Sequence, residues 1–396
     1  MPDSLIQKEQ EYFFRTYKRL SLDIVRGDGC FLFDRQGKRY VDFFGGLAVN
    51  ALGYRHPALN EAIRRQIDLY SHLSNFFVQE PQILLAEKLL AVSGLKRLFL
   101  TNSGTEAIEG ALKLARKWGK AKGKTDLFGL SNSFHGRTMG ALSLTERAKY
   151  REGYDPFLPN IRHIRFNDVQ DLRANVGPNT IGVFLEFIQG EGGINVVTPG
   201  FAKELDALRK QHDFLVIADE IQSGIGRTGR FFGYEHFAIR PDIVVVAKAL
   251  GGGLPLGAFL GTEKVSDVFT YGVHGTTFGG NPVACAAGVA VLNEIVDRGL
   301  MKSAGERGEH LRKLFQTLST EFPNRIREVR GFGCMMGVDL HGEGQPLVDE
   351  LQNRGFLVNC TNTTVLRLLP PYTIPAEECD RLVQEIRTIW NQTPAS

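Results

Sequence analysis

Two charged residues stand directly after apolar runs that have the length and composition of β-strands. Asp219 follows residues 214–218, and Lys248 comes two positions after residues 243–246, shortly before three consecutive glycines. Open α/β sheets bind ligands at the carboxyl ends of their strands. A lysine enclosed at that edge loses part of its charge, and a neutral amine can form a Schiff base with a carbonyl compound. The alternative is that Lys248 is a solvated surface charge.

The stretch that follows residues 98–101 could hold an anion. It reads Asn-Ser-Gly-Thr-Glu-Ala, and Gly104 and Thr105 open a helical pattern. The N–H groups at the start of a helix have no partner within the helix and favour a phosphate, and a glycine lets a ligand approach the backbone. The same residues also fit a plain helix cap formed by Ser103 or Thr105, and a cap and a phosphate seat can coexist.

Aromatic and cationic side chains complete the candidate site. Phe134 and Arg137 follow the predicted strand 127–130, so they also lie at a strand end. Phe134 can stack on a planar ring, and Arg137 can bind a carboxylate with two hydrogen bonds, although singly they also fit a core position and a surface ion pair. Arg367 stands among leucines in a β-like run. Because a buried arginine needs an acid, we expect it to contact Glu186 or a substrate carboxylate.

The combination of an amine, an acid and an anion seat favours one kind of cofactor. A pyridoxal-phosphate site needs a lysine that forms an imine and an acid for the pyridine nitrogen, and Lys248 and Asp219 fit these needs. Residues 274–282 offer further hydroxyl and backbone donors. Residues 224–229 match the glycine pattern of dinucleotide sites, but aromatic residues follow where a helix is needed, so we expect no dinucleotide there.

The elements that must position these residues alternate along the middle of the chain. Short apolar runs separated by helical patterns predict an α/β domain with a mostly parallel sheet covered by helices. After residue 282 a long amphipathic segment, 283–298, leads into a tail of mixed character. We therefore predict a large domain over 51–281, a smaller α+β C-terminal domain over 282–396, and an N-terminal segment, 1–50, that packs near the small domain. The predicted strands of the large domain are 98–101, 127–130, 181–185, 214–218, 243–246 and 258–260, with helices over 105–118 and 201–212.

The composition argues against several other classes of protein. The 396 residues carry a net charge of only +3 without a long basic run, so we expect no nucleic-acid partner. No apolar run reaches the roughly 20 residues that span a bilayer, and the first ten residues are polar, so we predict a soluble, cytoplasmic protein without membrane contact. The five cysteines form no CxxC pair, and we expect neither a metal site nor a disulfide framework.

Long motifs in a fixed order mark a family resemblance. They read NSGTEA, FHGRT, ADEIQSGIGRTG, AKALGGGLPLGA and HGTTFGGNP. The chain resembles the class III (ω-amino acid) aminotransferases of pyridoxal-phosphate fold type I nearly end to end, from Val25 to Pro371. The resemblance implies transfer of an ω-amino group, best the δ-amino group of N-acetylornithine, to 2-oxoglutarate. N-succinylornithine, ornithine and 4-aminobutyrate remain alternative substrates, and a decarboxylase or mutase on the same scaffold remains an alternative enzyme.

The resemblance also implies which residues hold the cofactor. Lys248 binds it covalently and moves the substrate proton, while Asp219 pairs with the pyridine nitrogen. The other implied cofactor contacts are Gly104, Thr105, Phe134, Glu220, Ile221, Gln222 and, from the neighbouring subunit of a homodimer, Thr277.

The substrate contacts that the resemblance implies are two arginines with different tasks. Arg137 binds the carboxylate of the acylated ornithine, and Arg367 binds the α-carboxylate of glutamate or 2-oxoglutarate. Glu186 neutralises Arg367 while the amine substrate is bound, and Thr276 lies beside the substrate. Residues 45–50 contain no tyrosine to hold a free α-amine, which favours an acylated substrate.

Three positions depart from the usual residues of the family. Ile108 replaces an asparagine, Phe187 a proline, and Val78 a frequent tyrosine. None of them is an implied cofactor contact, so the reaction type stands. We expect Phe187 and Val78 to reshape the pocket and thereby to influence which substrate is preferred.

Overall fold

The computed structural model describes residues 5–392, which contain seventeen strands in four sheets. In chain order the strands are β1 (Ile24–Asp28), β2 (Phe31–Asp34), β3 (Arg39–Asp42), β4 (Arg97–Thr101), β5 (Asp126–Leu130), β6 (Ile161–Ile164), β7 (Thr180–Leu185), β8 (Ile188–Gln189), β9 (Asn195–Val196), β10 (Leu215–Asp219), β11 (Ile243–Val246), β12 (Gly257–Gly261), β13 (Ile326–Phe332), β14 (Met335–Leu340), β15 (Phe356–Leu357), β16 (Asn359–Thr361) and β17 (Val365–Leu368).

Helices connect and cover these strands. They are α1 (Leu5–Tyr12), α2 (Gly45–Ala48), α3 (Pro57–Leu69), α4 (Glu80–Ser93), α5 (Gly104–Lys120), α6 (Met139–Leu144), α7 (Ala148–Arg151), α8 (Val169–Asn175), α9 (Pro199–His212), α10 (Pro282–Leu292), α11 (Leu300–Glu321), α12 (Gln345–Asn353) and α13 (Ala376–Gln392). Short 3₁₀ turns lie at Gly233–His236 and Lys248–Gly251, and a π turn at Asn293–Asp297 extends α10. The segment α2 is a left-handed turn, because all four of its residues have positive φ angles between 55° and 68°.

A seven-stranded sheet forms the centre of the fold, in the order β4-β12-β11-β10-β7-β5-β6. Only β12 runs against its neighbours, so the sheet is mostly parallel. All residues of β10 and β11 are buried, as strands covered on both faces should be. This confirms the predicted fold class, and each predicted strand differs from the observed one by at most one residue at either end. The sequence pattern missed β6, a partly exposed edge strand that contains Arg162 and His163.

Helix α5 lies unusually close to this sheet because it carries glycines where it crosses the strands. A methyl group on Gly110 would lie 2.2 Å from the ring of Phe259 on β12, and one on Gly119 would lie 2.4 Å from Ile181 on β7. Ala107, between the N-terminus and these crossings, is also fully buried. The packing therefore holds the first turn of α5 firmly at the carboxyl edge of the sheet.

Two smaller sheets lie outside the central one. Strands β13-β14-β17-β16 form an antiparallel sheet, and β1-β2-β3 continue into β15 through a parallel pair. The N-terminal strands thus share a sheet with a strand from the predicted C-terminal domain. The division of the chain at residues 50 and 281 remains a proposal, because α10 packs on α3 and α4 of the predicted large domain.

The segment that begins at Pro282 differs from its prediction. The sequence predicts one long amphipathic segment over 283–298. In the structure, α10 is apolar and buried on nearly all sides, and the π turn Asn293–Asp297 follows it. The physical reason is that α10 is enclosed by other helices instead of lying on a surface. Across residues 5–392, no helix combines the length and the apolar character needed to cross a bilayer.

Candidate active site

A cavity of about 440 Å³ lies at the carboxyl ends of the central strands. The segments that line it follow β4, β5, β7, β10 and β11, which is where open α/β sheets bind ligands. Its lining includes nine of the thirteen predicted site residues, which are Gly104, Thr105, Phe134, Arg137, Glu186, Asp219, Ile221, Gln222 and Lys248.

Lys248 enters the cavity from a strained turn. β11 ends at Val246, and Lys248 has a φ angle of 45°, in the left-handed region that lysine rarely adopts. The side chain is only partly accessible to solvent. Enclosure by the protein lowers the pKa of its amine to about 8, an effect that Glu191 opposes and Arg367 reinforces. About half of the amine is therefore uncharged near pH 8, and the uncharged form is the one that acts as a nucleophile.

Asp219 is held by a buried histidine. One carboxylate oxygen lies 2.7 Å from Nδ1 of His135, and the other accepts a hydrogen bond from the N–H of Ile221 at 3.0 Å. The backbone N–H of His135 in turn donates to the hydroxyl of Thr145. Burial opposes a charge on His135, but the hydrogen bond to Asp219 and the carboxylate charge outweigh it and raise the pKa of the imidazole. Asp219 is thereby fixed in orientation at the edge of the cavity.

The anion seat predicted at the start of α5 is present together with a helix cap. The hydroxyl of Ser103 accepts a hydrogen bond from the N–H of Glu106, and the Glu106 carboxylate accepts one from the N–H of Asn102. This arrangement resembles a capping box, except that the Glu106 carboxylate accepts from the N–H of Asn102, the residue before the N-cap, instead of from the N-cap residue Ser103 itself. Gly104 and Thr105 line the cavity beside it. The cap and the anion seat therefore coexist in one turn.

Arg137 is a cation without an acidic partner. Its guanidinium lies 4.0 Å from the ring centroid of Tyr150 and 5.5 Å from that of Phe134. No carboxylate in residues 5–392 forms an ion pair with it, although the side chain lines the cavity. Stacking on aromatic faces orients an arginine without neutralising its charge. Arg137 is therefore suited to bind the carboxylate of a ligand.

Arg367 is paired, but not with the predicted acid. The expected Glu186–Arg367 contact is wrong: Arg367 forms a short ion pair with Glu191, and its Nη1 also lies 3.5 Å from Oε1 of Gln222. The Glu186 carboxylate is occupied by two backbone N–H groups, those of Phe134 and Gly190, each at 3.0 Å. Burial raises the pKa of Glu186 to about 7, an effect that the charge of Asp219 reinforces and that His135 and the two hydrogen bonds oppose.

Glu191 lies between the cavity and the buried arginine. It lines the cavity, whereas Arg367 is only 2% exposed. Burial alone would raise the pKa of Glu191, but the charge and the hydrogen bond of Arg367 outweigh it, and the pKa is lowered. The backbone carbonyl of Glu191 accepts hydrogen bonds from Arg147 and from the hydroxyl of Thr361. The main chain is thus anchored, while the side chain faces the cavity.

Several predicted residues lie elsewhere. The Glu220 carboxylate accepts hydrogen bonds from Ser223 and from the N–H groups of Gly233 and Tyr234, so it holds the following loop and does not line the cavity. Thr276 and Thr277 are also absent from the lining formed by the described part of a single chain.

The three unusual residues do not line the cavity either. Ile108 and Phe187 are fully buried in the core, where the ring of Phe187 stacks 5.4 Å from that of Phe237, while Val78 is 89% exposed. Within one chain, the expectation that Phe187 and Val78 reshape the pocket is therefore not supported.

Sequence reasoning missed three functional neighbours. His135 stood inside the FHGRT motif, but nothing in its spacing indicated that it would reach Asp219. Glu191 stands five positions after Glu186, and the spacing of these two acids does not reveal which one contacts Arg367. Tyr150 lies outside the motifs altogether.

Comparison with known proteins places this site in a family. The Aminotransferase class-III family model matches residues 12–390. An acetylornithine aminotransferase of Methanocaldococcus jannaschii is 40% identical to the chain over 393 residues, which cover 98% of each protein. The chain belongs to the class III aminotransferases, and the predicted resemblance is confirmed.

Solved structures agree with this assignment. The chain is similar to an ornithine aminotransferase of Toxoplasma gondii, with a TM-score of 0.93 and 32% identity over 98% of this chain and 95% of that one. It is also similar to an acetylornithine aminotransferase of Elizabethkingia anophelis, with a TM-score of 0.88 and 32% identity over 98% of both chains. Relatives with different substrate names therefore share this fold.

The lowered pKa of Lys248 leads to a testable pH dependence. An amine is acylated only as the free base, so in cofactor-free protein the labelling of Lys248 should reach half its maximum near pH 8, whereas an ordinary lysine does so near pH ~10.4. Mass spectrometry of the peptides after brief acylation across this pH range measures both. Labelling of Lys248 that rises in parallel with that of exposed lysines would contradict the prediction.

Proposed function

We propose that the cavity binds pyridoxal 5'-phosphate. Its donors fit the three functional groups of this cofactor: the Lys248 amine suits the aldehyde, the Asp219 carboxylate suits the pyridine nitrogen, and the first turn of α5 suits the phosphate. A volume of about 440 Å³ is in the range of small-molecule sites. When bound, the cofactor supplies a carbonyl carbon that attaches amines and a ring that withdraws electrons.

The residues around this cofactor divide the remaining work. Lys248 exchanges a proton with the substrate carbon, for which a pKa of about 8 is well matched to neutral pH. Asp219 would pair with the pyridine nitrogen and favour its protonated form, and His135 keeps the Asp219 carboxylate oriented for that contact. Phe134 and Ile221 present apolar surfaces to the ring, and Gln222 offers an amide to its hydroxyl.

For the substrates, we infer that the enzyme moves the δ-amino group of N-acetylornithine to 2-oxoglutarate, giving N-acetylglutamate semialdehyde and glutamate. The observation that carries this proposal is the pair of unlike arginines around one cavity. Among the described residues Arg137 has no acidic partner, whereas Arg367 is neutralised by an acid that lines the cavity. The names of the most similar curated relatives support the same substrate.

An acid that can leave Arg367 explains how one cavity accepts two unlike substrates. Both substrates carry a carboxylate far from the reacting amine, which Arg137 can bind. Only glutamate and 2-oxoglutarate carry a second carboxylate beside the reacting carbon, and it requires Arg367. With Glu191 in place, Arg367 stays paired during the acetylornithine half-reaction, so that no buried charge is left without a partner.

We propose further that the enzyme works as a homodimer with shared sites. Phe76 and Val78, two positions apart, are 97% and 89% exposed, which is unusual for neighbouring apolar residues and supports a surface that a partner covers. Nearby, the Asn75 side chain donates to the carbonyl of Thr276 at 3.1 Å. Thr277 is exposed and does not line the cavity of its own chain, which supports a role in the site of a second copy.

A substrate panel combined with cofactor trapping tests the proposed activity. N-acetylornithine, N-succinylornithine, ornithine and 4-aminobutyrate are each assayed with 2-oxoglutarate, and we expect the highest kcat/KM for N-acetylornithine. Borohydride reduction should fix the cofactor on the peptide that contains Lys248, and Lys248→Ala should show negligible turnover. Preference for another amine would overturn the substrate, and labelling of another lysine would overturn the assignment of Lys248.

Because Arg367 pairs with Glu191 and not with Glu186, substitutions of these two acids should have different effects. Glu191→Gln should shift the ratio of single-turnover rates toward glutamate and away from N-acetylornithine by about ten-fold or more, because Arg367 then lacks its acid. Glu186→Gln is the matched control, because Glu186 contacts backbone N–H groups, and it should leave the ratio unchanged. An equal shift in both variants would contradict the role of Glu191.

Mixed dimers test whether the sites are shared. Lys248→Ala inactivates its own cavity, and Thr277→Ala should weaken cofactor binding in the partner's cavity. If Thr277 acts across the interface, a heterodimer of the two variants contains one intact site and regains about half of the activity at limiting cofactor. If Thr277 acts within its own chain, mixing restores nothing. Sedimentation of the wild-type protein should give the mass of two chains.

A further inference from the structure

Arg367 is fixed along one edge by a neutral side chain. Asn359 on β16 lies directly opposite Arg367 on β17 in the antiparallel register. The Oδ1 atom of Asn359 accepts two hydrogen bonds, from Nε at 3.0 Å and from Nη2 at 2.7 Å. A cross-strand partner of this kind is held by the sheet itself and does not depend on the occupant of the cavity.

The other end of the guanidinium faces acceptors of a different kind. Nη1 pairs with Glu191, which lines the cavity, and lies 3.5 Å from the side-chain oxygen of Gln222. Arg367 therefore has a permanent, uncharged contact on its Nε edge and an exchangeable, negatively charged contact at Nη1.

We infer that Asn359 is a positioning residue that orients Arg367 without compensating its positive charge, which therefore remains available to the dicarboxylate substrate, an inference that rests on the proposed function. When Glu191 withdraws, the two hydrogen bonds that Asn359 accepts still hold the guanidinium in the plane that a carboxylate must meet. Because the acceptor is an amide, the full charge of Arg367 remains available to the substrate. A carboxylate at this position would hold the arginine equally well but would neutralise it permanently.

The Asn359→Asp variant distinguishes a positioning role of Asn359 from a merely structural one. Aspartate has the same size as asparagine and is a stronger acceptor for arginine, so a structural role predicts that Asn359→Asp is silent or stabilising. A role in substrate recognition predicts selective damage to the dicarboxylate half-reaction instead. Asn362→Asp is the matched control, because Asn362 lies exposed in the same β16–β17 hairpin and has no contact with Arg367 among the described residues.

The experiment uses the purified holoenzyme and compares three variants with the wild type. Calorimetric affinity for 2-oxoglutarate, single-turnover rates with glutamate and with N-acetylornithine, and the melting temperature are measured. Asn359→Asp should weaken 2-oxoglutarate binding and slow the glutamate reaction by about ten-fold or more, while the N-acetylornithine rate changes less than about three-fold and the melting temperature does not fall. Asn359→Ala, which removes the clamp without adding charge, should show the same selectivity with a smaller effect, and Asn362→Asp should behave as wild type.

Three results would overturn the inference. The first is an Asn359→Asp protein with unchanged affinity for 2-oxoglutarate, and the second is an equal loss with both substrates in the Asn359 variants. The third is an Asn362→Asp effect as large as that of Asn359→Asp, which would mean that added charge acts at a distance. A wild-type protein that does not react with glutamate would instead overturn the proposed function, and this inference with it.

Discussion

The burial of opposite charges around one cavity is the constraint on which the rest of the site depends. A charge removed from water needs a partner with good geometry, since an unpaired one costs several kcal/mol. Asp219 meets this requirement through His135, and Arg367 through Glu191 and Asn359. For two other groups of the cavity, burial moves the pKa toward the uncharged form instead: it lowers the pKa of Lys248 and raises that of Glu186. For Lys248 this favours the neutral amine that its reaction needs.

These partners come from distant parts of the chain, so the site requires the central sheet and the C-terminal sheet to be docked firmly. Arg227 contributes to this docking. It is fully buried and donates to the carbonyls of Cys334 and Pro370 in the C-terminal part and of Ala48 in the left-handed turn α2. Carbonyl groups from three segments thus contact one cation. Arg227, which follows the central strand β10, connects α2 beside the cavity with the C-terminal part of the chain.

Regular features of the site could be predicted from the sequence, while its pairings could not. Strand periodicity and the position of polar residues after each strand were sufficient to bring Asp219 and Lys248 to one edge, and the structure has both in the cavity. The partner of Arg367 could not be predicted in this way, because Glu186 and Glu191 stand only five positions apart, one before β8 and the other in the turn between β8 and β9. Side-chain direction in irregular segments depends on tertiary packing, which periodicity does not encode.

The two arginines of the cavity show how the surroundings of a guanidinium determine its use. Arg137 is oriented by the faces of Phe134 and Tyr150, so its charge is always available and it can serve any substrate that carries a distal carboxylate. Arg367 is oriented by hydrogen bonds, one set neutral and one set ionic. Only the ionic set can be exchanged for a substrate without releasing the side chain. Selective use of Arg367 therefore follows from the difference between its two edges, and the arginine itself need not move.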